Sequence, residues 1–182
     1  SVFDYGGQSI FDVIHHLFLT SHGIYALCFN MEWLVPESQY RDSALKYLLR
    51  WLNSMALHTF DAEKGRAAPF VLIGTHADII TDPEKHAHIS SVLEKQFHTH
   101  SIWSSKMKYE GKGKSGARTQ LCFYPVDCKT DAGRGEGSTV AHVMDAIEKR
   151  LNEEAYVNSE IPYTWLRAMD KLRGQYSSFL TY

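Results

Sequence analysis

Apolar runs of strand length alternate with amphipathic stretches of helical period along this 182-residue chain. That pattern specifies an α/β domain of three layers, a mainly parallel sheet with helices on both faces. Two observations carry the expectation. The strand-length runs are apolar throughout, as in strands covered on both sides, and helical stretches long enough to make crossovers fall between them. Length and composition agree, because 182 residues with 44% hydrophobic content suffice for one domain with its own core.

The expected strands are Ser1–Asp4, Ile24–Asn30, Phe70–Thr75 and Leu121–Val126, each ending at a break. Leu45, Leu48, Leu49, Leu52 and Met55 form one stripe at helical spacing, which predicts a helix over about 42–57. Asp82-Pro83 supplies a cap residue followed by a first-turn proline, and Ile89, Val92, Leu93 and Phe97 then share a helix face. A third helix follows Gly137-Ser138 and carries Val140, Val143, Met144, Ile147 and Leu151. The Lys- and Gly-rich stretch Ser104–Gln120 has no periodicity and reads as an exposed loop. Asn158–Pro162 reads as a linker, and Trp165, Leu166, Met169 and Leu172 as a short helix ending at Gly174. The expected organisation is therefore one domain over 1–157 and the start of another segment over 158–182.

Composition removes several classes of function. A formal net charge of −2 argues against a dedicated nucleic-acid binder. The longest apolar stretch, about seven residues within Gly23–Phe29, is far short of a membrane span, and no basic-then-apolar leader is seen. Cys28, Cys122 and Cys128 are odd in number and lack paired spacing, which suits free thiols in a reducing compartment such as the cytoplasm.

Ligands of open parallel sheets gather at the carboxyl ends of the strands, where helix amino termini and loops offer free N–H groups. Those ends read Asp4-Tyr5-Gly6-Gly7-Gln8, Gly74-Thr75-His76-Ala77-Asp78 and Asp127-Cys128-Lys129-Thr130. Asp4 followed by Gly7 has the form of an Asp-x-x-Gly phosphate sensor. Its carboxylate can hold Mg²⁺ through water, its glycine lets an N–H approach a terminal phosphate, and Gln8 stands where an amide orients an attacking water. Asp78 can accept two N–H bonds from a guanine edge. Each also has a plainer reading, a turn for Asp4–Gly7 and a helix cap for Asp78. Order and spacing favour the nucleotide, because the three motifs follow one another as a guanine-nucleotide fold requires.

Val2-Phe3-Asp4-Tyr5-Gly6-Gly7-Gln8, with Ile10-Phe11 and Phe18–Tyr25 after it, resembles the switch II segment of the Roc domain, the Ras-like GTPase module of Roco proteins. Val71–Asp78 is similar to that family's guanine-reading motif, in which Thr75-His76 stand for the Asn-Lys of most small GTPases. Ile161-Pro162-Tyr163-Thr164-Trp165-Leu166 resembles the start of the COR segment that follows Roc. The likeness spans nearly the whole chain. It implies a P-loop GTPase-like fold and a switch that binds GTP or GDP with Mg²⁺. In that site Asp4 would serve the metal, Gly7 the phosphate, Gln8 the water, and Thr75, His76, Asp78, Cys128 and Lys129 the nucleotide. It also implies dimerisation through Roc and COR, with kinase or leucine-rich-repeat domains elsewhere in a long signalling chain. Asp127-Cys128-Lys129 departs from the usual Ser-Ala-Lys of the fourth strand end.

No phosphate loop stands in the expected place. Gly113-Lys114-Ser115 imitates the end of one, but Lys108 occupies the position of its first glycine, and Gly133–Gly137 contains no lysine. The expectation is that residue 1 lies at the family's third strand, so that the domain is incomplete at its amino end and this piece alone binds nucleotide weakly or not at all. The central first strand would then have to be replaced by the piece's own strand at 1–4 or by one from another chain. The alternative function is a GTPase-like scaffold that mediates association without catalysis. His15-His16, His86/His88 and His98/His100 lack neighbours to complete a metal site, and the four tryptophans read as core or interface residues.

Overall fold

The structure, a computed structural model, describes residues 19–112, 118–129 and 138–158, together with Arg167 and Lys171. The expected strand at Ser1–Asp4, the residues Asp4, Gly7 and Gln8, and most of the expected helix near Trp165 lie outside them. The described elements run in the order β1 (Tyr25–Asn30), α1 (Arg41–His58), β2 (Phe60–Asp61), β3 (Arg66–Ala67), β4 (Phe70–Thr75) and α2 (Pro83–Phe97), then β5 (Tyr109–Lys112), β6 (Arg118–Leu121), β7 (Tyr124–Pro125) and α3 (Thr139–Glu153).

β1, β4 and β7 form a three-stranded sheet in that order, and both pairings are parallel. β1 aligns with β4 from Tyr25 opposite Phe70 to Asn30 opposite Thr75, while β7 sets Tyr124 against Ile73 and Pro125 against Gly74. β4 lies at the centre, and its alternate side chains enter two cores. Phe70 and Leu72 join Leu27 and Phe29 of β1 with Leu48 and Leu52 of α1 and Ile89 and Leu93 of α2. Val71 joins Tyr124, Val126 and Val143, the last from α3 on the opposite face. This is an α/β fold, a mainly parallel sheet with helices on both sides.

The helices form where the pattern predicts, and their ends are chemically set. α1 buries Ala44, Leu48, Leu52 and Met55, one stripe at helical spacing, each Leu contributing about 1.5–3 kcal/mol of burial. Asp82 caps α2 by accepting the Glu84 N–H at 2.9 Å, and Pro83 occupies the first turn, where a missing N–H costs nothing. Ser138 accepts the Ala141 N–H at 3.0 Å at the start of α3.

Four details depart from expectation. Among the described residues β1 is covered on one face: Leu27 and Phe29 are buried, whereas Ala26 and Cys28 are exposed, since α3 packs against β4 and the stretch around β7 instead. Leu121–Val126 is not one strand, since Cys122 and Phe123 bend into the core between β6 and β7. The stretch read as an irregular loop holds the antiparallel hairpin β5–β6, with Tyr109 opposite Leu121 and Lys112 opposite Arg118. A second small hairpin, β2–β3, turns where Asp61 accepts the N–H groups of Glu63 and Lys64 at 3.0 and 3.1 Å, and Gly65 takes φ 62°.

The chain divides into two compact units, Ser1–Glu148 and Lys149–Tyr182. The sheet and both hairpins belong to the first. In the second, Arg150 pairs with Glu153 at 3.0 Å and with the buried Glu154 at 2.8 Å, and a 3-10 turn follows at Ala155–Asn158. Among the described residues no helix is long and apolar enough to cross a membrane.

Candidate functional site

The carboxyl end of β4 is built around a glycine. A Cβ on Gly74 would lie 2.7 Å from Met31 Cγ and 2.8 Å from Phe123 Cδ2, so a larger residue would push the strand off its core. Gly74 C=O accepts the Val126 N–H at 2.8 Å, and the Ala77 N–H donates to Val126 C=O at 3.2 Å. These two bonds bracket Thr75-His76 and fix that turn beside the segment that follows β7.

His76 has φ 68° and is the one non-glycine described residue in the left-handed region, a conformation that costs of order 1–3 kcal/mol. The turn lets its C=O accept from both Ile79 and Ile80 N–H, at 3.1 and 3.0 Å. Thr75 Oγ1 donates to Phe29 C=O of β1 at 3.2 Å and lies 3.0 Å from His76 Nδ1. Thr75 and His76 are thus braced by their neighbours and only half-buried.

Asp78 comes next, with Lys129 Nζ 3.2 Å from its Oδ2. The Asp78 side chain is 17% exposed and that of Lys129 72%. Lys129 is placed by a short turn: its N–H donates to Asp127 Oδ1 at 2.8 Å, and the Asp127 N–H donates to Thr139 Oγ1, the first residue of α3, at 3.1 Å. The Cys128 thiol is exposed and forms no disulfide. Of the sequence-predicted residues, Thr75, His76, Asp78, Cys128 and Lys129 therefore meet at one sheet edge. Asp4, Gly7 and Gln8 lie outside the described residues.

The bracing groups Val126 and Thr139 gave no functional signal in sequence, since one reads as a strand residue and the other as a helix start. Beside the turn, a cavity of about 480 Å³ opens at the carboxyl end of β1, walled by Trp33, Tyr40 and Tyr47 and reached by Cys28, Ser43 and Thr75. Its walls come from the half-exposed aromatic residues of α1 and the preceding turn, spread too far along the chain to read as a motif.

Elsewhere two histidines make structural hydrogen bonds. His86 Nε2 donates to Ile80 C=O at 2.6 Å, and His100 Nε2 lies 3.0 Å from Asn53 Oδ1. Among the described residues no group of three His, Cys, Asp or Glu could hold a metal ion. Cys122 is buried against Ser90, and burial pushes its thiol up to about 11.

No family model matches the chain, and no solved structure does. Curated proteins match more distantly. The probable serine/threonine-protein kinase roco6 of Dictyostelium discoideum is 23% identical over 172 residues, 94% of this chain and 6% of that protein. The probable serine/threonine-protein kinase qkgA of the same organism is 33% identical over 95 residues, 52% of this chain and 5% of that protein. The chain thus spans about a twentieth of the length of these relatives, and what it is similar to is one segment of large Roco-type kinases.

Proposed function

We propose that this chain is the base-reading part of a guanine-nucleotide switch within a large multidomain signalling protein. One observation carries the reading: the carboxylate of Asp78 is held at the carboxyl edge of two adjacent parallel strands, beside the loop that follows the second. A ligand crevice is expected at that edge in an open α/β sheet. The residues there fit the base end of a nucleotide. Asp78 offers two acceptor oxygens to a guanine N1–H and N2–H, a pattern that adenine cannot match. Thr75 and His76, locked by Phe29 and by one another, set the carboxylate's height above the strand ends.

The phosphate and Mg²⁺ end of the reading rests on Asp4, Gly7 and Gln8, and on any phosphate loop elsewhere in the parent protein. Hydrolysis of GTP, dimerisation through Roc and COR, and coupling to a kinase domain belong to the same proposal, as does the division at about residue 157.

The test uses the full-length protein, titrated with Mg²⁺·GDP and Mg²⁺·ADP by calorimetry. The expected result is selective GDP binding that Asp78→Ala weakens at least tenfold, since removal of a charge-assisted acceptor costs about 1.5–3 kcal/mol. Equal binding of GDP and ADP would overturn the base reading, and binding of neither would favour a second reading, a GTPase-like scaffold without nucleotide chemistry.

A further inference from the structure

We infer that Lys129 competes with the base for Asp78 and so sets both the affinity and the salt response of the nucleotide site; this rests on the guanine reading above. Recognition of a guanine edge takes both carboxylate oxygens at once. In the structure Lys129 Nζ stands 3.2 Å from one of them, Oδ2. A base can therefore make its two-point contact only when the ammonium leaves or shares that oxygen.

The lysine is not there by chance of a free side chain. Its backbone N–H is held by Asp127 Oδ1 at 2.8 Å, and Asp127 is held by Thr139 Oγ1 at 3.1 Å, so the turn that aims Lys129 is anchored to the start of α3. The turn in its turn is tied to the Asp78 segment through the two backbone bonds of Val126. The accessibilities give the direction of approach. Asp78 is mostly covered and Lys129 mostly in water, so the lysine reaches the carboxylate from the solvent side, the side from which a base must arrive. Asp127 is the positioning residue of this arrangement and Lys129 the competitor.

Exposed ion pairs are weak, so the effect is modest and measurable. Breaking a pair of this kind opposes base binding by about two- to fivefold. The pair is also screened by salt, with a Debye length near 3 Å at 1 M, whereas its removal by mutation leaves nothing to screen.

The experiment compares the full-length protein with its Lys129→Met variant, which keeps the aliphatic stem and removes the charge, by equilibrium titration with a fluorescent GDP at low and at 1 M salt. The expected result is about two- to fivefold tighter binding by Lys129→Met at low salt, with the two proteins converging at 1 M. Asp127→Ala, which frees the turn, should tighten binding in the same direction. Unchanged or weaker binding by Lys129→Met overturns the inference, because the lysine then holds the nucleotide or does nothing. Asp78→Ala separates the two claims: if it leaves GDP affinity intact, the base-reading proposal fails; if it abolishes affinity while Lys129→Met gives no gain, only the competition fails.

Discussion

Gly74 and Cys122 show how single atoms govern this sheet. Gly74 has Met31 and Phe123 within 3 Å of the place where a Cβ would stand, so Gly74→Ala should destabilise the fold by about 1–3 kcal/mol in urea denaturation, despite the intrinsic preference of strands for alanine over glycine. Cys122 makes a pH prediction with a definite sign. Burial pushes the folded thiol up to about 11, above the ordinary thiol value of 9.0, so the unfolded chain loses this proton first as alkali is added. The contribution is fully present below pH 9 and is lost between about 9 and 11. Unfolding free energy should fall by about 2–3 kcal/mol more across that window than in Cys122→Ala, measured by denaturation at stepped pH. At these positions the sequence is only partly readable. The need for glycine at 74 depends on Phe123, nearly fifty residues away, and no local pattern announces such a contact.

Helices and strands were not equally legible. The stripe of Leu48, Leu52 and Met55 gives both ends of α1, and Asp82-Pro83 the start of α2, within a residue of those observed, because periodicity and capping are local chemistry. Burial then decides which leucines matter. Leu48 is 0% exposed and Leu57 77%, so Leu48→Ala should cost about 2–5 kcal/mol by chemical denaturation and Leu57→Ala within about 0.5. The hairpin β5–β6 escaped notice because its strands, Tyr-Glu-Gly-Lys and Arg-Thr-Gln-Leu, carry almost no apolar alternation; backbone pairing and the packing of Tyr109 hold it. The opposite error arose at Leu121–Val126. Cys122 and Phe123 are apolar because they fill the core, and nothing in their composition distinguishes that from strand pairing. Asp78 and Lys129 could each be picked out as residues that follow strand-like runs. Their common edge could be expected, but their ion pair could not, since it follows from the register of β7 on β4.

Taken across the first compact unit, the architecture is a central strand, β4, with one neighbour from earlier in the chain and one from much later. Both pairings are parallel, so each demands a long excursion before it closes, and such contacts form slowly compared with helices and hairpins. Helices on both faces make the central strand secure, while β1 keeps Ala26 and Cys28 in water. In the distant relatives the similar segment makes up 5–6% of the protein's length.

The two bonds from Val126 to Gly74 and Ala77 carry a consequence for biogenesis. During synthesis, the carboxylate at 78 leaves the ribosome some fifty residues before its cationic counterpart, and β7, the strand that brings them together, emerges only just ahead of that lysine. Until then the nascent polypeptide can assemble the layer of α1 against β1 and β4 but has no finished edge beside Asp78. The edge that joins Asp78 to Lys129 is thus completed only once β7 has been translated.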